Sequence, residues 1–170
     1  YRELYQHPLT VLYERIGLDL TKVSYEKIAF EWHEVYEKRA HEAPLHEGSR
    51  EALEKIAQSG RSQHILSALP HRLLTQAVEA RSLRHYFGEI RGQESEKHST
   101  KFETGKQLAA ELEIVPEQTV LIGDTSHDAE VAQSLGIDCI LIADGAEARW
   151  RLESTGFPVF DRLTELEKLI

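Results

Sequence analysis

An α/β fold built on a parallel sheet is the class this 170-residue sequence predicts, and three observations predict it. From Pro44 onward, strand-like apolar runs alternate with amphipathic stretches, each unit bounded by Gly, Pro or Ser. The first 42 residues are helical in pattern and hold no convincing strand. With 41% hydrophobic residues the chain can close one core with a small appendage, and it is too short for two independent domains.

The elements follow in order. Leu9, Leu12, Tyr13 and Ile16 stand at helical spacing, and Val23, Ile28, Phe30, Trp32 and Val35 run across a second segment, so residues 1–42 read as a helical unit and 43–170 as the α/β unit. A helix is predicted over about 48–59 with Leu53, Ile56 and Ala57 inward, then a strand from His64 to Ser67, with Pro70 in the first turn of the next helix. After Gly92 comes a loop, a helix around Gly105 to Leu112, and a strand from Thr119 to Ile122 that ends at Gly123-Asp124. A helix over 126–135 is stopped by Gly136. A third strand from Cys139 to Ile142, a helix near 147–154, a fourth strand at Val159-Phe160 and a closing helix complete the array.

Composition narrows the function. Lys and Arg total 20 against 29 Asp and Glu, a net charge of −9 with no basic cluster, which argues against a nucleic-acid partner. No apolar run approaches the roughly 20 residues of a membrane-spanning helix. The single cysteine, Cys139, sits in the apolar stretch Asp138 to Ala143 and reads as a small buried hydrophobe rather than a reactive thiol, which points to a reducing compartment and so to the cytoplasm. The nine histidines show no H-x-x-x-H spacing and no cysteine neighbours, and none is assigned a ligand role. The chain begins at Tyr1 and contains no methionine, so a segment upstream of Tyr1 is expected, and no signal-peptide pattern is visible.

In a strand and helix array with right-handed crossovers, ligands sit at the carboxyl ends of the strands. Val120-Leu121-Ile122-Gly123-Asp124-Thr125-Ser126-His127-Asp128 delivers one acid to a strand tip and a second four residues later. Magnesium prefers oxygen ligands and keeps several waters, so one or two carboxylates plus a substrate phosphate suffice. Asp128 also has a purely helical reading, since Thr125-x-x-Asp128 is capping-box spacing, and it can serve both purposes. Asp124 has no such alternative, because an acid at the end of a buried strand carries a desolvation cost unless a cation is near. His64-Ile65-Leu66-Ser67-Ala68 places a hydroxyl where a phosphate oxygen could accept its hydrogen bond, beside the amides of the following turn. Ser99-Thr100-Lys101 brings a lysine out of a polar loop; alone it reads as a surface lysine.

Taken in order, Leu66-Ser67-Ala68, then Lys101, then Gly123-Asp124-Thr125-Ser126-His127-Asp128 resemble motifs two, three and four of the haloacid dehalogenase superfamily. The similarity is to phosphoglycolate phosphatase-like members with a small helical cap, and it extends over nearly the whole chain, including Gly156-Phe157-Pro158-Val159-Phe160-Asp161. The resemblance implies a Rossmann-like core and a magnesium-dependent phosphatase that acts on a small phosphorylated metabolite through an aspartyl phosphate. Asp124 would bind magnesium, and Asp128 would support the metal or orient the lysine. Ser67, with Ala68, would bind the transferring phosphoryl group and Lys101 would offset its charge. Residues 1–42 would be the cap. The family's first motif, Asp-x-Asp-x-Thr, is not in this sequence; Phe160-Asp161-Arg162-Leu163-Thr164 follows the last strand and lacks the second Asp. The nucleophile and first core strand are therefore expected to be absent, and the chain to be inactive alone. Ala68 stands where many relatives have Asn. A non-catalytic phosphate- or partner-binding descendant is the alternative, with carbon–halogen or phosphonate cleavage ranked last. A homo-oligomer would be one way to fill the missing strand.

Overall fold

The computed structural model describes residues 1–94 and 100–168, so Ser99 of the lysine-bearing loop and His98 lie outside the described residues. Helices α1 (Leu9–Arg15) and α2 (Tyr25–Arg39) come first, then α3 (Ser49–Gln58) leads into β1 (Ile65–Pro70), α4 (His71–Ala80), β2 (Ile90–Gln93) and α5 (Lys101–Glu111). The second half runs β3 (Val120–Gly123), α6 (Ser126–Leu135), β4 (Asp138–Ile142), α7 (Arg149–Glu153) and β5 (Val159–Phe160).

Four expectations need correction. Ile90–Gln93 is a strand in a stretch to which no element was assigned from the sequence, with the loop expected after Gly92, because Ile-Arg-Gly-Gln has one large apolar residue and shows no periodicity; pairing to β1 makes it a strand. Pro70 is the last residue of β1 and the N-cap of α4, with ψ at 133°, an extended conformation that the first helical turn does not admit. Helix α5 begins at Lys101, four residues early, because Thr100 and Glu103 close a reciprocal capping box. The closing helix is a 3₁₀ segment over Leu163–Lys168.

All strand pairs are parallel. β1 pairs with β2 in one sheet, and β4 lies between β3 and β5 in another. Among the described residues β1 and β3 are each paired along one edge only. α5 packs on β1 and β2, α6 packs on β3 and β4, and α5 packs against α6, so both sheets share one helical layer.

Side-chain alternation along each strand sorts the core. Ile65 joins Leu74, Val78 and Ile90 beneath α4, whereas Leu66 faces Gly105 of α5 on the other side. Leu121 joins the largest cluster, in which Ala129 and Ala132 of α6 meet Cys139, Leu141 and Leu152. Its neighbours Val120 and Ile122 point to the opposite face and are 46% and 39% exposed. α2 buries no residue. Its end is tied to α4 by Arg72, 2.8 Å from Glu37, and by Arg81, which donates to the carbonyls of Ala40 and Ala43. No helix among the described residues is long and apolar enough to cross a membrane.

Cys139 is 1% exposed, and burial pushes its thiol up to about 12. The reactive species is the thiolate. The folded protein is expected to give no colour with an aromatic disulfide reagent at pH 8, and one equivalent once guanidinium unfolds it; native reaction would contradict this packing.

Candidate active site

β3 ends at Gly123, and Asp124 follows at its carboxyl end. The next residues turn at once into α6, and Asp128 makes that turn. Its Oδ2 accepts from the Asp124 amide at 3.1 Å, the Thr125 amide at 3.0 Å and the Thr125 hydroxyl at 2.7 Å, while Thr125 Oγ1 caps the Asp128 amide in return. The capping box read from the sequence is present. The other oxygen, Oδ1, is held by the Lys101 ammonium. Asp128 therefore serves the turn with one oxygen and the lysine with the other.

That pair is buried, with side-chain exposures of 15% for Lys101 and 4% for Asp128. Lys101 is the first residue of α5, where the helix dipole opposes a cation, so its position depends on Asp128. Burial pushes the Asp128 carboxyl up, but the Lys101 charge and hydrogen bond, aided by Thr125 and the Asp124 amide, bring it below the usual carboxylate range. Gly123 is required by this closeness: a Cβ there would stand 2.3 Å from Asp128 Cγ.

Asp124 is half-buried and oriented from the other side. Its Oδ2 accepts from the Ala146 amide at 2.7 Å, and a Cβ on Gly145 would lie 2.1 Å from that oxygen. No donor among the described residues meets its Oδ1. The carboxylate lines a cleft of about 250 Å³ together with Ile122, Ile142, His46, Asp144 and Gly145. His46 and Arg2 hold Asp144 below the usual carboxylate range.

Residues 1–7 lie across the same end of the sheet. Arg2 donates to Asp144 O at 2.9 Å, and Trp150 Nε1 donates to Glu3 at 2.8 Å. Tyr5 meets His7 Nε2 at 3.1 Å, and the His7 ring centroid lies 4.9 Å from that of His127. Burial, then Tyr1 and the carboxylates of Asp124, Glu147 and Asp128, push the Tyr5 phenol up, so it stays protonated. Burial and His127 lower His7 and favour its neutral form.

Of the residues singled out from sequence, the structure brings Lys101, Asp124 and Asp128 together. Ser67 and exposed Ala68 lie on β1, in the other sheet, where the ladder loses register between Leu66 and Pro70. Ser67 Oγ accepts from the Leu69 amide at 3.1 Å, and no hydrogen bond among the described residues joins it to the acids. Tyr5, His7, Gly145 and Glu147 were not foreseen, since each reaches the site through the tertiary fold and has no local motif; His127 stands within the Gly123–Asp128 motif but was given no role. Among the described residues no three His, Cys, Asp or Glu side chains converge as a metal cage. The donor set nevertheless suits a hard cation: Asp124 offers one carboxylate oxygen that meets no donor among the described residues, in a cleft, whereas both Asp128 oxygens already accept hydrogen bonds.

The family described as haloacid dehalogenase-like hydrolase matches residues 1–142. Among solved structures, a predicted phosphatase from Clostridium acetobutylicum superposes with a TM-score of 0.81 at 20% identity, over 94% of this chain and 74% of that one. A predicted phosphoglycolate phosphatase from Haemophilus somnus gives 0.76 at 17%, over 94% and 76%. Protein Tyrosine Kinase A of Mycobacterium tuberculosis gives 0.79 at 18%, over 99% and 79%, so the shared fold does not by itself name the chemistry. No curated protein matches the chain.

Proposed function

The chain belongs to the haloacid dehalogenase-like hydrolases, and from that premise we propose that it is the larger part of a cytoplasmic, magnesium-dependent phosphatase for a small phosphorylated metabolite. The observation that carries this reading is the buried Lys101–Asp128 pair beside Asp124, whose Oδ1 meets no donor among the described residues. An acid and a cation share the end of β3, where a phosphate dianion and its counter-cation would be shared between them.

In this reading Asp124 would hold the metal, which when bound would neutralise phosphate charge and orient the ester. Asp128 fixes the Lys101 ammonium through Oδ1 and the β3–α6 turn through Oδ2, supporting the metal site indirectly. Lys101 donates to the transferring phosphoryl oxygens, with its helix terminus contributing dipole. Ser67 would donate its hydroxyl proton to the same group while its oxygen keeps the Leu69 amide, and the amide of Ala68 is offered beside it. Residues 1–42 form the cap that excludes water. The nucleophile would be an aspartate on a strand between β1 and β3, absent from this sequence: its attack on phosphorus would break the ester P–O bond and expel the protonated alcohol, leaving an aspartyl phosphate that water would hydrolyse to inorganic phosphate and the free carboxylate.

Aryl phosphate hydrolysis with magnesium tests this on three proteins: the chain as given, the chain extended upstream of Tyr1 by its natural sequence, and the extended chain with Asp124→Ala. Turnover in the intact extended chain alone is the expected result. Silence in all three would replace the phosphatase with a protein that binds phosphate or a partner without catalysis.

A further inference from the structure

Glu147 is 1% exposed, and none of the roles assigned above uses it. A carboxylate so far from water needs compensation. Its Oε2 accepts the backbone N–H of Ser126, the first residue of α6, and its Oε1 accepts the Ser126 hydroxyl at 3.1 Å. Arg151 Nε lies 3.0 Å from Oε1 but is not aligned for a hydrogen bond, so that contact is ionic. The remaining Arg151 nitrogens reach Gln6 at 3.4 Å and the Glu3 carbonyl at 3.5 Å.

The loop that carries Glu147 also orients Asp124. Ala146 donates to its Oδ2, and Gly145 leaves room for the carboxylate. The acid of Glu147 thus grips one end of the segment Asp124-Thr125-Ser126 while its neighbours grip the other. We infer that Glu147 is a positioning residue: it locks the β4–α7 loop to the start of α6 and so fixes the direction in which Asp124 presents Oδ1 to the cleft. Glu147 touches neither substrate nor cation. The inference rests on the reading of Asp124 as the magnesium ligand.

The test uses the full-length chain with Mn²⁺ as the probe, its free concentration read by electron paramagnetic resonance, alongside amide hydrogen exchange at Ala146 and Ser126 without metal. In Glu147→Gln, which keeps shape and an acceptor for Ser126, Mn²⁺ affinity is expected to fall about tenfold, the loss typical when a group behind a metal ligand is removed. The Ala146 amide should exchange faster in the same variant. Glu147→Ala should lose more on both readouts. A merely structural role would lower the melting midpoint and leave the affinity of the folded protein unchanged, and that result in Glu147→Gln would overturn the inference. Asp124→Ala separates the two readings. If it keeps wild-type Mn²⁺ affinity, the metal assignment falls and the inference built on it falls too; if Asp124→Ala loses affinity while Glu147→Gln keeps it, the metal assignment stands and the positioning role alone is overturned.

Discussion

Asp128→Asn is expected to cost about 3 kcal/mol of folding stability at pH 7, the lower end of the loss when one partner of a buried ion pair is removed. An asparagine fits the space and its carbonyl oxygen can still accept from the Thr125 amide, so the turn keeps part of its cap. What disappears is the charge opposite Lys101, which is left at a helix N-terminus with a side chain only 15% exposed. Urea unfolding checks this: the midpoint should fall with the slope unchanged, and a shift under about 1 kcal/mol would mean that the pair contributes little net stability.

The same pair sets an acid limit, whose sign follows from the direction of the shift. The Asp128 carboxyl lies below its unfolded value in the native protein. The unfolded chain therefore binds the proton first as pH falls, and stability is lost with it. The contribution is fully present above the ordinary aspartate value of about 4 and is removed as pH drops from there through the lower native value. The stability difference between wild type and Asp128→Asn should be flat near neutrality and narrow below pH 4. A difference that grew with acid would reverse the assignment.

How far the site could be read from the sequence depends on separation along the chain. Asp124 and Asp128 are four residues apart, so strand, capping box and acid pair are all local, and the sequence displays them together. Lys101 lies 27 residues from Asp128, and nothing in Ser99-Thr100-Lys101 marks a buried cation; only the family resemblance raised it above a surface lysine. Glu147, 21 residues from Ser126, reads as an ordinary exposed acid near a helix, and His7 meets His127 only because residues 1–7 cross the sheet. β2 was hidden for another reason. A four-residue strand with an arginine and a glycine has no period, and its identity comes from the β1 ladder beside it. Helices α3 and α6 were legible because ten-residue amphipathic patterns with clear ends are set mostly by local sequence.

Lys101→Met in the extended, active chain should separate catalysis from folding. The asymmetry of the hydrogen bonds is the reason. Removing the lysine leaves Asp128 with three donors on Oδ2, so the carboxylate is deprived of one partner rather than stranded, and methionine fills the space of the aliphatic stem. The stability cost is therefore expected to be about 2 kcal/mol, below that of Asp128→Asn. Turnover has no such reserve. If Lys101 stabilises charge on the transferring phosphoryl group, its loss removes an oriented donor from a site that excludes water, and kcat should fall by about 10²- to 10³-fold. Asp128→Asn, which releases the ammonium without removing it, should lose less activity and more stability. The two variants therefore exchange rank between urea unfolding and steady-state kinetics. Equal rank on both axes would show that the pair serves the fold alone, and the phosphoryl group would need another cation.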